Sequence, residues 1–522
     1  MPERPSPPRP AWPPPPAAPW PGQPPGSAPP GQQGWAAPPA PTGWGAPPGQ
    51  GPPPAPQGPP AWAQPPIPPA TGWPPVWGTP TPPPPPKRRA GRIVAAVAGL
   101  LVIALVAAFL MVRSGDQGEQ ARQAVGQRPA TKLPPDPATD LPKLLAKRAK
   151  AVIDDDRAAF LATVDKRQKT YYQRQATLFA RMRTAPFSAF AYRLDPNDLR
   201  SGAKLRRHYR ADQVQLAPVQ VRYRFEGQDS SPVLARESFA FVLTGSGWRI
   251  AGPGDRRMSR RDDVEIWDSG QVRTARSPRT LIVHHPGQED LAQRLLQAAD
   301  RAYGQVGAAW TGKWERKAVI LVPRDQDEAE RLVGARDLSR VAAVASSSVE
   351  SGSTEAEKVL GNRIVVNTSN VVRYNMLNLQ ILLTHEMTHV ATRTLGDGVP
   401  LLLVEGFADY AALKPVGFSF ASTRPALNQR VDTGRFDGAL PRDDEFRSGD
   451  AAVAYDEGSA FCQWVAATFG SGKLQALYRE FRGSGSTSTS ELDRGFKDVL
   501  GISRRTAERR WAAWVRDQLS RS

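Results

Sequence analysis

Two histidines and a glutamate in the run His385-Glu386-Met387-Thr388-His389 have the spacing of a metal site. If residues 376–395 form a helix, the i, i+4 spacing puts both imidazoles on one face, where they can bind one ion. Two imidazoles and one carboxylate are a ligand set typical of zinc, which lowers the pKa of a bound water from about 15.7 to about 7. Glu386 follows the first histidine directly, so its carboxylate can take a proton from that water without binding the metal.

The carboxylate that completes the set is predicted on a second helix, over residues 401–413. On that helix Glu405 and Asp409 share a face, again at i, i+4. We expect Glu405 to bind the metal and Asp409 to accept a hydrogen bond from the second ring nitrogen of a histidine, which fixes its tautomer. The alternative for Asp409 is an ordinary solvated helix charge.

A buried helix with purely structural histidines would have the same sequence without binding a metal. The segment does have the apolar content of a helix packed into a domain interior, from Ile381, Leu382, Leu383 and Val390. Histidine is scarce, however, with five in 522 residues. Two of them at ligand spacing on one such helix favour the metal site.

These residues resemble the HExxH plus ExxxD arrangement of the gluzincin zinc metallopeptidases, the thermolysin-like and aminopeptidase-like clan also called peptidase MA-like. The resemblance covers residues 272–522. It implies three zinc ligands, a general base and a supporting carboxylate, which are respectively His385, His389 and Glu405, then Glu386, then Asp409.

The rest of the family pattern is met only in part. The metzincin motif HExxHxxGxxH is absent, because Thr392 and Leu395 stand where it needs glycine and histidine. Thermolysin-like enzymes stabilise the oxyanion with a later histidine, and none follows His389. Aminopeptidase-like members use a tyrosine on a later helix, and the resemblance makes Tyr455 its candidate. The alternative for Tyr455 is a buried core residue.

The fold class predicted for the chain is α+β. For residues 272–522 we expect a zincin-like domain with a small mixed sheet, the active-site helix and a mostly helical C-terminal part. Short β-rich runs and one helical run before the active helix predict that sheet, namely 280–285, 317–322, 340–345 and 363–367, with the helix at 290–303. By the resemblance, an edge strand near 341–346 pairs with an extended substrate. His284 and His285 point to opposite faces of a strand, so we interpret them as structural.

Residues 1–86 are predicted to be a disordered cytoplasmic tail. Most of the 55 prolines lie there, and this density prevents helix and sheet. The proline runs favour polyproline II, and the scattered tryptophans could bind partners. An inert spacer is the alternative.

Residues 87–112 are predicted to form a basic flank and one transmembrane helix. The stretch 93–112 carries no charge and, as a helix, spans about 30 Å. Lys87, Arg88, Arg89 and Arg92 precede it and place the N-terminus in the cytoplasm by the positive-inside rule. The prediction is a single-pass cell-membrane protein with extracytoplasmic C-terminal domains.

Residues 113–140 are predicted to be a linker and 141–265 an α+β stalk domain. Helical periodicity over 141–183 is followed by alternating runs at 219–225 and 239–243, which indicate a curved antiparallel sheet. This stalk resembles the cone-shaped fold of nuclear-transport-factor-like and ketosteroid-isomerase-like proteins. It contains no catalytic set, which favours a spacer or a substrate-recognition role.

The chain has a formal net charge of +18, which favours contact with anionic lipid or a cell-wall polymer. Nucleic acid is not an expected partner, because no binding motif is present. Cys462 is the only cysteine, so no intramolecular disulfide can form. The richness in proline, alanine and arginine is typical of an actinobacterial protein.

Taken together, the patterns predict a membrane-anchored zinc metallopeptidase that hydrolyses peptide or protein substrates, with Zn²⁺ as its cofactor. Two alternatives stay open. One is a catalytically silent metal-binding scaffold or interaction protein, against which an intact Glu386 argues, because metal binding needs only the ligands. The other is a zinc amidase acting on cell-wall peptides.

Overall fold

In the computed structural model of the chain, the described residues are 135–254, 262–335, 337–339, 341–350, 358–393, 398–447, 451–482 and 488–522. The predictions for the tail 1–86, for the flank and helix 87–112, and for most of the linker 113–140 concern residues outside these ranges. The end of that linker is helical instead. Pro137 begins a helix there because the Asp136 side chain accepts hydrogen bonds from two N–H groups of its first turn.

The first part of the described chain is a four-stranded antiparallel sheet with helices against it. Its strands pair in the order β1-β2-β3-β4. The bounds are α1 Pro137–Ile153, α2 Arg157–Ala162, α3 Lys169–Met182, β1 Phe187–Arg193, α4 Ala203–Tyr209, β2 Val214–Phe225, β3 Val233–Thr244 and β4 Gly247–Pro253. The predicted helices and antiparallel strands are present, whereas β1 and α4 were not predicted.

A five-stranded mixed sheet follows, in the order β5-β6-β7-β9-β8. Strands β6, β7 and β9 are parallel, while β5 and β8 are antiparallel to their neighbours. The bounds are α5 Ile266–Ser269, β5 Arg273–Arg276, β6 Thr280–His284, α6 Glu289–Ala309, β7 Ala318–Val322, α7 Gln326–Val333, β8 Ala343–Glu350, β9 Lys358–Val366 and α8 Thr368–Val371. The small mixed sheet and the position of β8 at its edge agree with the prediction.

The remainder is helical. Its helices are α9 Met376–Thr392, α10 Leu401–Leu413, α11 Phe420–Thr423, α12 Pro425–Asp432, α13 Ala451–Phe469, α14 Ser471–Glu480, α15 Thr489–Leu500 and α16 Arg504–Ser520. They pack with α6 and one face of the five-stranded sheet in a single large apolar cluster. The α+β class is therefore confirmed.

A second apolar cluster joins the two sheets. It contains Tyr223 and Val233 from the first sheet together with Leu281, Val319 and Val365 from the second. Strands β6 and β7 are buried along their whole length, as is expected of parallel strands covered on both faces. The two sheets therefore share this apolar cluster.

The prediction of a single-pass membrane protein is wrong for the part of the chain that the structure describes. None of its helices is long and apolar enough to cross a bilayer. A span needs about 20 consecutive apolar residues, whereas α6, the longest described helix, carries charged residues and buries its apolar face in the core. The segment 93–112, on which the prediction rested, lies outside the described residues.

Candidate metal centre

Helix α9 positions the two histidines and the glutamate between them. It begins where the Asn375 side chain accepts a hydrogen bond from the Asn378 N–H, at 2.9 Å, which satisfies one of the free donors of the first turn. From Ile381 to Thr392 every residue of the helix is buried. His385, Glu386 and His389 are therefore polar groups inside the core, where a polar group without partners is costly.

Helix α10 supplies the carboxylates, and close packing against α13 fixes its position. A Cβ on Gly406 would lie 2.3 Å from the carbonyl oxygen of Gly458, so the two helix backbones touch at a pair of glycines. On the same helix Glu405 and Asp409 are buried and face α9. Small residues at this crossing thus allow the carboxylates to reach the imidazoles.

The three predicted ligands come together. The Nε2 atoms of His385 and His389 are 2.9 Å apart. One carboxylate oxygen of Glu405 lies 3.4 Å from the first of these nitrogens and 3.5 Å from the second. All three ligand atoms lie within 4.8 Å of one another, and all three residues are buried. This cluster could hold a metal ion.

The spacing of the three atoms fits a tetrahedral ion. Ligands at zinc distances of about 2.0–2.1 Å stand about 3.3–3.4 Å from one another in a tetrahedron. The two distances from the Glu405 oxygen to the Nε2 atoms match that value. The distance between the two Nε2 atoms is a few tenths of an ångström shorter. Within the described residues, the Glu405 oxygen that faces both rings forms no well-formed hydrogen bond, so a cation between the three atoms would supply its partner.

Asp409 contacts the far side of the first imidazole. Its Oδ1 lies 2.9 Å from Nδ1 of His385. Because a carboxylate only accepts, Nδ1 carries the proton, which leaves Nε2 free for a metal. Burial lowers the pKa of His385, but Asp409 and Glu405 raise it well above its usual value. The carboxylates therefore favour positive charge at the imidazole pair, which a divalent cation supplies as well as a proton does.

The charge state of Glu405 also favours a metal site. Burial alone would raise the pKa of this carboxyl group, but the imidazoles of His389 and His385 outweigh burial and lower the pKa to about 2. Glu405 is thus ionised across the physiological pH range. An ionised, buried carboxylate between two ring nitrogens is what a third metal ligand requires.

Glu386 has a different environment, although it lies on the same turn of α9. Its side chain is 1% exposed. Neither carboxylate oxygen makes a well-formed hydrogen bond within the described part of the chain. Burial raises its pKa, while His385, His389 and the backbone of Ala345 on β8 counteract that rise. A buried carboxyl group that makes no well-formed hydrogen bond and lies beside the ligand cluster is available to exchange a proton.

Tyr455 lies on α13 in the electrostatic field of the site. Burial raises its pKa well above the usual value, and the carboxylates of Glu405, Asp409 and Glu386 raise it further. Its ring packs edge-on against Phe446, with 5.2 Å between the ring centroids. Tyr455 is therefore neutral and close to the ligand cluster, and its role in stabilising an oxyanion stays a prediction.

His284 and His285 lie outside the cluster and have their own partners, which fits their structural interpretation. The Nδ1 atom of His284 is 2.8 Å from the carbonyl oxygen of His285. The two ring nitrogens of His285 contact the carbonyl oxygen of Gln271 and a carboxylate oxygen of Glu328, at 2.8 and 2.9 Å. These contacts hold the ring of His285 from both sides.

One charged group near the site was not predicted. Arg424, between α11 and α12, is 3% exposed and donates a hydrogen bond to Ser459 at 2.9 Å. Burial lowers its pKa to about 10, while Asp456 and Asp409 act against that change. Nothing in the spacing of the sequence signals this residue, because its neighbours come from three separate helices.

No protein-family model matches the chain, and a search of curated proteins found no match either. The interpretation of the site therefore rests on its geometry.

Proposed function

We propose that this chain is a zinc-dependent peptidase of the gluzincin type. The observation that carries the proposal is the buried cluster of His385, His389 and Glu405, with the buried carboxylate of Glu386 beside it, which makes no well-formed hydrogen bond within the described residues. A folded chain gains no stability by burying such groups without a ligand. A structural zinc site would be closed by a fourth protein ligand, and the cluster of the described residues has three.

Each side chain has a distinct task in this proposal. His385, His389 and Glu405 hold the metal, and Asp409 keeps His385 in the tautomer that binds through Nε2. When bound, zinc acidifies a coordinated water and polarises the substrate carbonyl. Glu386 accepts the water proton and later delivers it to the leaving amine, since burial holds its pKa above that of an ordinary glutamate.

Strand β8 is the proposed substrate-binding edge. It is the outermost strand of its sheet, and the backbone of Ala345 on this strand acts on Glu386. An extended peptide that pairs with β8 would place a scissile bond next to Glu386 and the cluster. Tyr455 is neutral and near the same carboxylates, so its hydroxyl can donate a hydrogen bond to the developing oxyanion.

The test compares the purified wild-type chain with the Glu386→Gln variant. We expect about one zinc per chain in both, because Glu386 is not a ligand, and at least about 100-fold slower peptide hydrolysis in the variant. The two measurements are elemental analysis and turnover of a fluorogenic peptide library. Equal activity in the two chains would reject Glu386 as the general base.

The same preparation separates the alternatives. One zinc per chain without hydrolysis of any substrate would indicate a metal-binding scaffold. Hydrolysis of peptidoglycan fragments but not of casein would indicate an amidase acting on cell-wall peptides. Absence of bound metal after incubation with zinc would reject the peptidase, the scaffold and the amidase alike, because all three depend on a bound metal.

A further inference from the structure

A short 3₁₀ helix, Glu445–Arg447, packs against α13 beside Tyr455. Its middle residue, Phe446, is fully buried and places its ring edge-on to that of Tyr455, with 5.2 Å between the ring centroids. The Phe446 ring also lies 3.5 Å from the position that a Cβ on Gly458 would take. The 3₁₀ helix is therefore fixed to the helix that carries Tyr455.

The segment that leads into this 3₁₀ helix is also fixed to α10. A carboxylate oxygen of Asp443 accepts a hydrogen bond of 2.9 Å from the N–H of Leu401, the first residue of α10. The same helix carries Glu405. The 3₁₀ helix is thus attached to both helices that supply side chains to the candidate metal centre, and its last residue, Arg447, is held near that centre.

Arg447 is exposed and carries a positive charge next to the site. The neighbouring Arg442 pairs with Asp444 and Glu445. Within the described residues, by contrast, the guanidinium group of Arg447 forms neither an ion pair nor a hydrogen bond. Burial and the three carboxylates of the site raise the pKa of Tyr455, whereas Arg447 lowers it. The charge of Arg447 therefore acts on the hydroxyl that is proposed to contact the substrate.

The charge balance of the site explains why a cation at this position matters for substrate choice. When Glu405, Asp409 and Glu386 are ionised, a bound divalent cation neutralises two of their three charges and leaves one negative charge. That charge repels an acidic group of a substrate. An exposed cation beside the site offsets the repulsion and can pair with the acidic group directly.

We propose that Arg447 selects peptide substrates that carry a carboxylate close to the scissile bond. This inference rests on the proposed peptidase function and adds a substrate class to it. The planar guanidinium group can form paired hydrogen bonds with a carboxylate. That carboxylate is either an aspartate or glutamate side chain next to the cleaved bond, or the C-terminus of a substrate cleaved near its end. The net charge of +18 also attracts acidic peptides to the chain.

The test uses the full zinc-loaded chain and two matched pairs of fluorogenic peptides. One pair differs by glutamate or glutamine next to the scissile bond, and the other by a free or an amidated C-terminus. We expect wild type to cleave the acidic member of at least one pair with a kcat/KM about 5-fold higher, the size of an exposed ion pair. The variant Arg447→Gln should lower this ratio to about one, mainly through KM, whereas Arg447→Lys should keep most of it. The pair that shows the preference identifies the source of the carboxylate.

The matched control is Arg509→Gln, which removes one charge from an exposed position of α16 and should keep the wild-type ratio. Added salt should reduce the preference of wild type, because an exposed ion pair is screened. Binding of the same peptides to the Glu386→Gln variant, measured by fluorescence anisotropy, should show the same preference without turnover. Thermal unfolding establishes that the variants fold.

Two results would overturn the role of Arg447 while peptide hydrolysis itself stands. One is a ratio near one for both peptide pairs in wild type. The other is a preference that Arg447→Gln leaves unchanged. Absence of hydrolysis of every peptide would instead reject the peptidase function on which the inference rests.

Discussion

At the scale of single side chains, the carboxylates around the imidazole pair differ in what they touch. Glu405 faces both ring nitrogens, Asp409 contacts the opposite side of one ring, and Glu386 has no well-formed hydrogen bond among the described residues. The proposed ligand, supporting residue and proton acceptor are thus distinguished by contact, although all three are glutamate or aspartate. Each proposed role therefore requires a different electrostatic environment for its carboxyl group.

The supporting role of Asp409 is tested by the Asp409→Asn variant. The amide keeps the size of the side chain but removes the charge that favours a cation at His385, so zinc affinity should fall about 10- to 100-fold. Competition with a chromophoric chelator measures this. The control is Asp432→Asn at an exposed position of α12, which should leave affinity unchanged. Equal affinities in the two variants would contradict the role.

At the scale of elements, the contact between α10 and α13 decides whether the site can form. The backbones approach at Gly406 and Gly458, and one side of this contact carries Glu405 while the other carries Tyr455. A Cβ on Gly406 would push the helices apart, because it would lie 2.3 Å from the carbonyl oxygen of Gly458. The site therefore depends on a residue that has no functional group.

The Gly406→Ala variant should lower the free energy of unfolding by about 1–3 kcal/mol, the usual cost of overpacking, and weaken zinc binding. The matched control is Gly304→Ala on α6, where an added Cβ meets no atom within 4 Å. That change should stabilise the chain by about 0.5–1 kcal/mol, because alanine favours the helix. Urea unfolding measures both. Stabilisation by Gly406→Ala would show that the helices do not pack this closely.

The sequence predicted these elements well where the signal was local. The spacing of His385 and His389 and the run 401–413 predicted the two helices that carry the ligand cluster, and hydrophobic alternation predicted the long strands β2 and β3. Strand β1 was missed because it follows directly on a helix and mixes exposed and half-buried residues without a clear alternation. Arg424 was missed because its partners are distant in sequence, and the membrane location was inferred from one apolar run without any packing context.

At the scale of the whole molecule, a buried ion pair links the two sheets. Arg363 on β9 donates two hydrogen bonds of 2.8 Å to Asp229, in the turn between β2 and β3. Both side chains are buried, at 7% and 4% exposed. Asp229 also accepts a hydrogen bond from the Phe225 N–H, at 2.7 Å. No local pattern could predict this pair, because its members are far apart along the chain.

The Asp229→Ala variant leaves Arg363 buried without its counterion and should cost about 3–5 kcal/mol of unfolding free energy. Asp154→Ala removes the partner of Lys150 in an exposed pair and should cost no more than about 1 kcal/mol. Chemical denaturation measures the two variants side by side. Similar small losses in both would show that the pair between the sheets contributes little.

The apolar cluster between the sheets also limits how this protein can be shortened. Tyr223 and Val233 are covered by side chains of the second sheet, and Leu281 and Val319 by side chains of the first. A gene truncated to either half would encode a product with a bare hydrophobic surface, prone to self-association. Natural rearrangements and laboratory fragments alike should therefore retain both halves, so the proposed peptidase is inherited together with the first sheet.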